Sequence, residues 1–475
     1  MSAELARRRV LEATPAHVLA IRAGIAACTL AGALLRFVTL GRQSYEAEEA
    51  YTLQLLHRSF GGMLHGVARQ ESTPPVYYAA AWLWSRIFGT SEVGLRSLSA
   101  LAGTLMIPVA YLAAASLLRR AWPALFVAAL TAASPILVWY SQEARAYELY
   151  AFFGALSLLC FARVLERPTR TAVWLWAAAS GLTIWTHYFA GFLVVVEAAI
   201  LLVRRRSRRL LVATGVVAAL GAAAAPLAIH QYHSAAALRS VTSGSLGFRL
   251  KEVALRFVFF YYNPGRTIAL VIAVAAAAVL VYRGRNVARA RLALGLGLAT
   301  VALPFLLAAT GILDVFFFRN VLAAWLPLMI AVAAGLTGLR AAPAVAAVAV
   351  AVVLASTVQI ARKVELQRDS WRTAVSVLRS GPRPPVLVSN DAVTPPVYWS
   401  QLAPLPPGGV RVREVVFAGR YVTPDSSLAV DGLRSAGFRL AGNLGILRLV
   451  ARRPVRIAPA QLAPGGLVGW VPRDH

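Results

Sequence analysis

The sequence predicts an all-α polytopic membrane protein that carries a small C-terminal α/β domain. Its 475 residues are 59% hydrophobic and only 14% charged, whereas soluble globular proteins carry about 25% charged residues. Apolar runs of membrane-spanning length recur between residues 18 and 361, as expected for a bundle of transmembrane helices. After Arg362 the pattern changes to short segments separated by turns rich in Gly and Pro, which indicates a separate folded domain.

The strongly basic balance of the chain favours a membrane partner over nucleic acid. The formal net charge is +28, and the densest arginine runs lie between apolar spans rather than on one continuous patch. That placement is typical of cytoplasmic anchors beside anionic lipid. Cys28 and Cys160 both lie inside apolar spans and indicate no particular redox compartment. The basic start leads into an apolar run without a small-residue cleavage site, so we expect an uncleaved first helix.

The arginine runs also predict the threading of the chain through the plasma membrane. If Arg7, Arg8 and Arg9 are cytoplasmic, every dense arginine run falls on that side when about eleven helices cross the bilayer. The outer face then receives the loops 41–96 and 229–266, and we predict a membrane module over 1–361 and an extracytoplasmic α/β domain over 362–475. The predicted spans are 18–40, 97–118, 122–141, 147–163, 171–188, 189–203, 210–229, 267–282, 292–311, 321–339 and 342–361.

Shorter elements are predicted from local pattern. The segment "PPVYYAAAWLWSRIFG" (74–89) is too short to cross easily and contains Arg86, so we expect a helix lying in the membrane interface. In the C-terminal domain, "PPVLVSN" (384–390), "VRVREVVF" (410–417) and "GILRLVARR" (445–453) predict strands. The segments "SWRTAVSVL" (370–378) and "SLAVDGLRSAG" (427–437) predict short helices.

With this threading, chemically active side chains from five distant segments fall on the outer face. A carboxylate there can accept a proton from a hydroxyl group, an arginine can bind phosphate through its planar fork, and aromatic rings can stack on a sugar. There is no Gly-rich phosphate loop, zinc-spaced Cys/His set or HExxH motif, so we expect a substrate delivered by the membrane. The outer-face residues are Glu46, Glu48, Glu49, Glu71, Gln142, Glu143, Arg145, His187, Tyr188, Asp314 and Arg319.

Each of these residues also has a structural interpretation. A glutamate such as Glu46 in the first turn of a helix stabilises the helix dipole. Arg145 follows Glu143 closely enough to form a surface ion pair of little energetic value. His187 suits a hydrogen bond at the interface as well as it suits a base. Only the convergence of several such groups at one face favours a catalytic site.

Seven motifs, taken in order, resemble a known family. They are "SYEAEEAYT", "ESTPPVYY", "GTSEVGLRSLSALAG", "WYSQEARAYEL", "THYF", "FFFRN" and "RDSWRTAV". Together they cover roughly residues 35–400 and are similar to segments of GT-C fold glycosyltransferases of family 39, which contains protein O-mannosyltransferases and lipid A aminoarabinose transferases. The resemblance implies a polyprenyl-phosphate-linked sugar donor and a fold that presents an acid pair at the outer face of the membrane.

The resemblance also implies roles for particular residues. Glu48 falls where the family has its catalytic aspartate, and Glu49 falls on the glutamate that follows it. Two departures stand out: Glu48 replaces the aspartate, and Thr73 lies where some members carry a basic residue. Phosphate binding would then depend on Arg145 and Arg319, and substrate-binding residues would also include Glu71, Glu143, His187 and Tyr188. The sequence identifies no cofactor with certainty, and a divalent metal at the acids is compatible with the sequence but not demanded by it.

The sequence therefore predicts a membrane-embedded transferase of the cell envelope, with two alternatives left open. The transferase would move a sugar from the lipid-linked donor to a hydroxyl group of a protein, lipid or glycan acceptor. A non-enzymatic transporter of lipids or solutes is the first alternative, although charged residues near the bilayer midplane and inverted repeats would favour it and neither is found. A catalytically degenerate relative is the second, because Glu48 replaces aspartate.

Overall fold

The computed structural model describes residues 15–234, 244–261, 266–381, 385–428 and 430–473. The chain forms two compact units: residues 1–38 with 58–358, and residues 39–57 with 359–475. The acid-rich stretch around Glu48 thus belongs to the same unit as the C-terminal residues. The predicted division into a membrane module and an extracytoplasmic domain stays a prediction.

Helices dominate the chain, as the apolar runs predict. In chain order they are α1 (Pro15–Phe37), α2 (Ala47–Leu56), α3 (Phe60–Gln70), α4 (Val76–Phe88), α5 (Glu92–Leu118), α6 (Ala121–Ala133), α7 (Pro135–Ser141), α8 (Tyr147–Glu166), α9 (Arg170–Thr186), α10 (Ala190–Arg204), α11 (Arg208–Ser234), α12 (Leu246–Val258), α13 (Arg266–Gly284), α14 (Ala290–Ala309), α15 (Trp325–Ala334), α16 (Ala342–Arg362), α17 (Trp371–Ser380), α18 (Thr394–Tyr398) and α19 (Pro459–Leu462).

A polytopic helical membrane protein is confirmed, whereas the predicted count of about eleven spans is not. Among the described residues, seven helices are long and apolar enough to cross a membrane, or eight if the bent pair α6 and α7 forms one span. The other predicted spans coincide with helices that are short for a crossing of about 20 residues. Helices α9, α10 and α15 have 17, 15 and 10 residues.

Small residues bring some of these helices into close contact. An added Cβ on Gly284, at the end of α13, would lie 2.6 Å from the backbone nitrogen of Gly335, which follows α15. A side chain on either glycine would therefore push the two helices apart. Glycine at such crossings lets backbones approach closely, which is how helices without a hydrophobic driving force pack in a bilayer.

One predicted loop proves to contain helices, and one predicted interface helix is present. The predicted loop 229–266 is wrong in part, because α11 continues to Ser234 and α12 forms within the loop; residues 235–243 and 262–265 lie outside the described residues. The Ser245 hydroxyl accepts a hydrogen bond from the backbone N–H of Phe248, which caps the start of α12. The predicted helix at 74–89 is present as α4, and its depth in the membrane stays a prediction.

The second unit is built around a six-stranded mixed sheet in the order β2-β6-β1-β3-β5-β4. Strands β1 and β3 are parallel, and the other neighbours are antiparallel. Trp371 of α17 is fully buried in one of the hydrophobic clusters that pack the sheet. The strands are β1 (Leu387–Ser389), β2 (Leu402–Pro404), β3 (Val410–Gly419), β4 (Leu433–Ala441), β5 (Leu444–Ile457) and β6 (Val468–Pro472).

The predicted strands and the predicted helix at 370–378 are present as β1, β3, β5 and α17, but the helix predicted at 427–437 is wrong. Residues from Leu433 onward form β4, which pairs with β5 through a two-residue turn. Gly442 adopts φ +65° in that turn, a conformation that glycine reaches without strain. Hairpin pairing with β5 thus overrides the local helical pattern of the segment.

Candidate active site

The acid motif of the first loop forms the start of helix α2 in the second unit. Glu46 is the residue before the helix, and the side chain of Glu49 accepts a hydrogen bond from the Glu46 backbone N–H at 3.0 Å. This is the reciprocal half of a capping box, which satisfies an otherwise unpaired donor at the helix start. Glu49 is fully buried, whereas Glu48 is only partly buried. The two adjacent glutamates therefore occupy different environments.

A buried arginine that the sequence did not single out lies against these acids. The side chain of Arg368 has its Nε 3.6 Å from Glu46 Oε2 and 3.7 Å from Glu49 Oε2. Its backbone N–H donates to the side chain of Gln43 at 2.9 Å, and the Tyr45 N–H donates to the Tyr398 hydroxyl at 2.6 Å. Arg368 and Tyr398, from the C-terminal part of the chain, thus hold the loop before α2 within the second unit.

In the first unit, Arg145 is bound by Glu71. The guanidinium Nη1 and Nη2 donate to Glu71 Oε1 and Oε2 at 2.7 Å and 3.0 Å, which is the bidentate geometry that fits arginine to a carboxylate. Both side chains are at most 7% exposed. Arg145 is therefore part of a buried pair with Glu71, and not of an exposed pair at the surface. Glu143 lies on the same short segment and is itself buried.

A tyrosine of the Pro-Pro motif lies against this pair. Burial raises the pKa of the Tyr78 phenol well above its ordinary value, while Arg145 opposes the shift and Glu71 adds to it. The Tyr78 hydroxyl also accepts a hydrogen bond from Thr73 at 3.4 Å. Tyr78 is therefore a neutral hydrogen-bonding group beside the Glu71–Arg145 pair.

Helix ends of the first unit enclose a cavity of about 300 Å³, here called the aromatic cavity. Tyr147 contributes from the start of α8, His187 and Tyr188 from the end of α9, and Arg319 from the segment before α15. The Arg319 guanidinium lies 5.2 Å from the centre of the Tyr147 ring, within range of a cation–π contact. The cavity thus combines one arginine with aromatic rings, which suits a phosphate joined to a sugar.

His187 is placed as a buried wall residue of this cavity. Its ring stacks on Tyr150 with a centroid distance of 4.6 Å, and no described residue forms a hydrogen bond to its Nδ1. Arg319 and Arg145 both act on it electrostatically. Burial, and after it the two nearby cations, disfavour a protonated imidazole, so His187 fits a neutral hydrogen-bonding group better than a charged one.

Sequence reasoning missed Gln231, which ties the cavity together. Its side-chain oxygen accepts a hydrogen bond from the Tyr188 hydroxyl at 2.8 Å, and its Nε2 donates to the carbonyls of Val67 and Thr73 at 2.9 Å and 3.2 Å. Gln231 lies in the part of the chain predicted to be a loop, so no pattern identified it. The network holds the Pro-Pro segment against the end of α11.

A second network fixes the segment that carries Arg319. Arg249 of α12 donates two hydrogen bonds to the Asp314 carboxylate at 2.6 Å and 2.9 Å and a third to the Phe316 carbonyl at 3.1 Å. Asn320 donates from its side chain to the Val315 carbonyl at 2.8 Å. These contacts hold residues 313–317, which form no helix or strand, directly before the short 3-10 helix Phe318–Ala324 that carries Arg319.

An apolar cavity of about 570 Å³ shares Tyr188 with the aromatic cavity. Its other lining residues come from α10 and from the end of α14 and include Phe192, Val195, Leu303 and Leu306. Such a lining suits a hydrocarbon chain. Polar and apolar surfaces thus meet at one tyrosine.

The predicted site residues are brought together in two groups. Tyr188, His187 and Arg319 line the aromatic cavity, and Glu71 and Arg145 form the buried pair. Glu48 and Glu49 belong to the second unit. Among the described residues, no group of three or more His, Cys, Asp or Glu side chains is placed to hold a metal ion. A metal ion at Glu48 and Glu49 would therefore need ligands from outside such a group. The assignment of roles to all these residues stays a prediction.

These features define a polytopic membrane protein whose helix ends enclose a polar, aromatic cavity, and its fold is of the GT-C type. It resembles the apo crystal structure of ArnT from Cupriavidus metallidurans, with a TM-score of 0.57 and 14% identity over 89% of this chain and 97% of that one. Residues 72–233 match the family model of dolichyl-phosphate-mannose-protein mannosyltransferases. The predicted family resemblance is confirmed over these residues, and the predicted helical GT-C fold is confirmed without the number of spans.

Two further solved structures are similar with lower scores. ArnT from Cupriavidus metallidurans bound to undecaprenyl phosphate gives a TM-score of 0.47 and 16% identity over 75% of this chain and 72% of that one. The arabinofuranosyltransferase AftD from Mycobacteria gives a TM-score of 0.47 and 16% identity over 95% of this chain and 40% of that one. No curated protein matches the sequence.

Proposed function

We propose that the protein is a membrane-embedded glycosyltransferase that moves a hexose or pentose from a polyprenyl-phosphate donor to an acceptor hydroxyl group. The observation that carries this proposal is the aromatic cavity, where Arg319 lies among aromatic rings and an apolar cavity adjoins at Tyr188. A lipid-linked sugar phosphate has a charged centre, a ring that stacks on aromatic groups and a hydrocarbon tail. The matched family model describes transfer from a dolichyl-phosphate sugar, which is the same donor class.

The donor binds with each part in a matching environment. Arg319 takes the phosphate, assisted by Arg145, whose orientation is set by the bidentate contact with Glu71. The sugar stacks on Tyr147 or Tyr188, and the polyprenyl chain runs into the apolar cavity. In this arrangement Arg319 is the main phosphate ligand, because Arg319 lines the aromatic cavity directly.

The reaction is a single displacement at the anomeric carbon. The acceptor oxygen forms a bond to that carbon while Glu48 takes the hydroxyl proton, and the bond from the carbon to the phosphate oxygen breaks. The electron pair leaves with the polyprenyl phosphate, whose charge the arginines stabilise. The product has inverted configuration, and a phosphate leaving group needs no general acid.

Glu48 is the better base of the adjacent pair. Glu49 is buried, caps α2 through the Glu46 N–H and lies against Arg368, so its carboxylate is committed to holding the helix start. Glu48 is partly exposed and remains accessible to an acceptor. Glu49 then positions Glu48 by fixing the first turn of the helix.

The reaction takes place on the outer side of the plasma membrane in this proposal. The support is the arginine distribution, which assigns the dense basic runs to the cytoplasm. The donor phosphate stays at headgroup depth because its lipid tethers it there. A base at the first outer loop would be presented at that depth.

The test is a donor panel. The purified protein is reconstituted in vesicles with polyprenyl phosphates that carry different hexoses and pentoses, and release of free polyprenyl phosphate is measured with added hydroxyl acceptors. We expect release with at least one donor, and release slower by about 10²- to 10⁴-fold with the Glu48→Gln variant. Binding of the donors without release by the unmodified protein would contradict the enzymatic proposal, and movement of intact donor across the vesicle would favour a transporter.

A further inference from the structure

A buried arginine in the first helix contacts a break in another helix of the first unit. Helices α6 and α7 meet at Ser134 with a bend of 52°. Pro135 lacks an N–H and cannot donate to the carbonyl of Thr131 four residues earlier. Carbonyls freed in this way are costly inside a membrane protein unless other donors reach them.

Arg36 supplies those donors. Its Nη2 donates to the Thr131 carbonyl and its Nη1 to the Ala132 carbonyl, both at 3.0 Å, while its Nε donates to the Ser141 hydroxyl at 2.9 Å. The side chain is fully buried. One guanidinium therefore joins the end of α6 to the end of α7 across the bend.

The contact is reciprocal. Gln142, directly after α7, donates from Nε2 to the carbonyls of Leu35 and Arg36 at 3.0 Å each. These carbonyls lie in the last turn of α1, where helical partners are missing. Each broken or terminal helix is thus capped by a side chain of the other.

A fourth helix closes around the same point. An added Cβ on Gly103 of α5 would lie 2.8 Å from Arg36 Nε and 2.5 Å from Glu148 Oε1, and closer still to Ser141 Oγ. Glu148 interacts electrostatically with Arg36, so a carboxylate lies beside the buried cation. Only glycine leaves room for the three side chains.

We propose that Arg36 is a positioning residue for the donor site. The segment between α7 and α8 is only five residues long and carries Arg145. Tyr147, the first residue of α8, lines the aromatic cavity. With α7 fixed through Ser141 and Gln142 and α8 approached at Glu148, this short segment has little freedom. The inference rests on the proposed function in one respect, namely that Arg145 and Tyr147 contact the donor.

The experiment compares three perturbations of this contact with one control. Arg36→Lys keeps the charge and loses the planar fork, Gln142→Met keeps the length of the side chain and loses the donors, and Gly103→Ala crowds the cluster without changing charge. Ser157→Ala is the control, because it removes a buried hydrogen bond to Glu197 elsewhere in the bundle. The readouts are the unfolding temperature, hydrogen exchange of amides 141–147, and affinity for polyprenyl phosphate.

We expect faster exchange in 141–147 and a loss of about 10- to 100-fold in affinity for polyprenyl phosphate in the variants that unfold at the same temperature as Ser157→Ala. The donor KM should rise more than turnover at saturating donor falls. Unchanged exchange in Gln142→Met, or an equal affinity loss in Ser157→Ala, would overturn the inference. If the unmodified protein binds no polyprenyl phosphate, the proposed function fails, and the exchange data still decide whether Arg36 holds the segment.

Discussion

Two adjacent glutamates, Glu48 and Glu49, carry the same chemical group in unlike surroundings. Glu49 is buried, and its carboxylate caps helix α2 and lies against Arg368. Glu48, in the same turn, is only partly buried. Because the residue type is the same, only the difference in environment separates a base from a positioning group in the proposed mechanism.

Replacing Glu48 by Gln tests the base directly. The amide keeps the shape but cannot accept the proton, so turnover should fall by about 10²- to 10⁴-fold while donor binding is kept. Turnover and donor affinity are measured separately in the reconstituted protein. Glu46→Gln is the control and should have little effect, because the Glu46 side chain is 39% exposed and its pair with Arg368 is weak.

Glu48→Asp sharpens the same test. It restores the residue that the resembling family carries at this position and shortens the side chain by one methylene. Impaired turnover would mean that the longer side chain is fitted to this site, whereas equal or higher turnover would mean that the two acids are interchangeable. Full activity in Glu48→Gln would remove the base assignment and leave Glu49 as the next candidate.

The two arginines are distinguished by parallel substitutions. Arg319→Lys should lower donor affinity more than Arg145→Lys, because Arg319 lines the aromatic cavity and Arg145 is already bound by Glu71. Lysine keeps the charge and loses the bidentate fork. Affinity is measured with polyprenyl phosphate, and Arg291→Lys, an exposed arginine that hydrogen-bonds Asn286, serves as the control. Unchanged affinity in both variants would remove the arginines from the phosphate site.

At the scale of elements, several site residues lie on short segments between the long helices. Side chains from other helices fix these segments in place. Asp314→Asn should loosen the segment 313–320, because it removes the charge that Arg249 contacts twice. We expect a loss of about 1–3 kcal/mol in stability for hydrogen bonds to a charged group and weaker donor binding through Arg319. Thermal unfolding and donor affinity are measured together.

The matched control for that variant is Glu252→Gln on α12, the helix that also carries Arg249. Glu252 pairs with Arg256 one turn along at 3.3 Å, a contact worth a few tenths of a kcal/mol. Stability and donor affinity should hardly change. Equal effects of the two substitutions would show that the contact between Asp314 and Arg249 has no special role.

The β4–β5 hairpin depends on one glycine. Gly442→Ala should cost about 1–2 kcal/mol, because φ is +65° there and an L-residue is strained in that region; the new Cβ would also press on Ser370. Gly437→Ala in β4 is the control, since its Cβ would enter open space. Thermal unfolding of the full chain compares them, and equal stability of the two variants would contradict the role of the turn.

At the scale of the whole molecule, the orientation in the membrane is tested by a C-terminal reporter. We expect a reporter that is active only in the cytoplasm to remain silent, and one active only outside to give signal, because the arginine distribution assigns the last span to an outward exit. A fusion after residue 206, in a basic run, provides the opposite control. Activity of the cytoplasmic reporter at the C-terminus would reverse the proposed orientation.

The sequence alone determined the class of protein and most of its helices. Long apolar runs fix membrane helices because the bilayer demands internal hydrogen bonding over a set length, and ordered motifs such as "ESTPPVYY" carried the family resemblance. The aromatic and basic cavity residues His187, Tyr188 and Arg319 were also predicted, because polar groups at helix ends are exceptional in so apolar a chain.

Only the tertiary structure decided how these groups are paired. Glu71 with Arg145, Glu49 with Arg368 and Asp314 with Arg249 join residues far apart in sequence, and no local pattern specifies such partners. The hairpin that replaced a predicted helix shows the same limit, since strand pairing is non-local. Arg36 was missed for a further reason: a single polar residue inside an apolar run can be interpreted only when the carbonyls that it reaches are known.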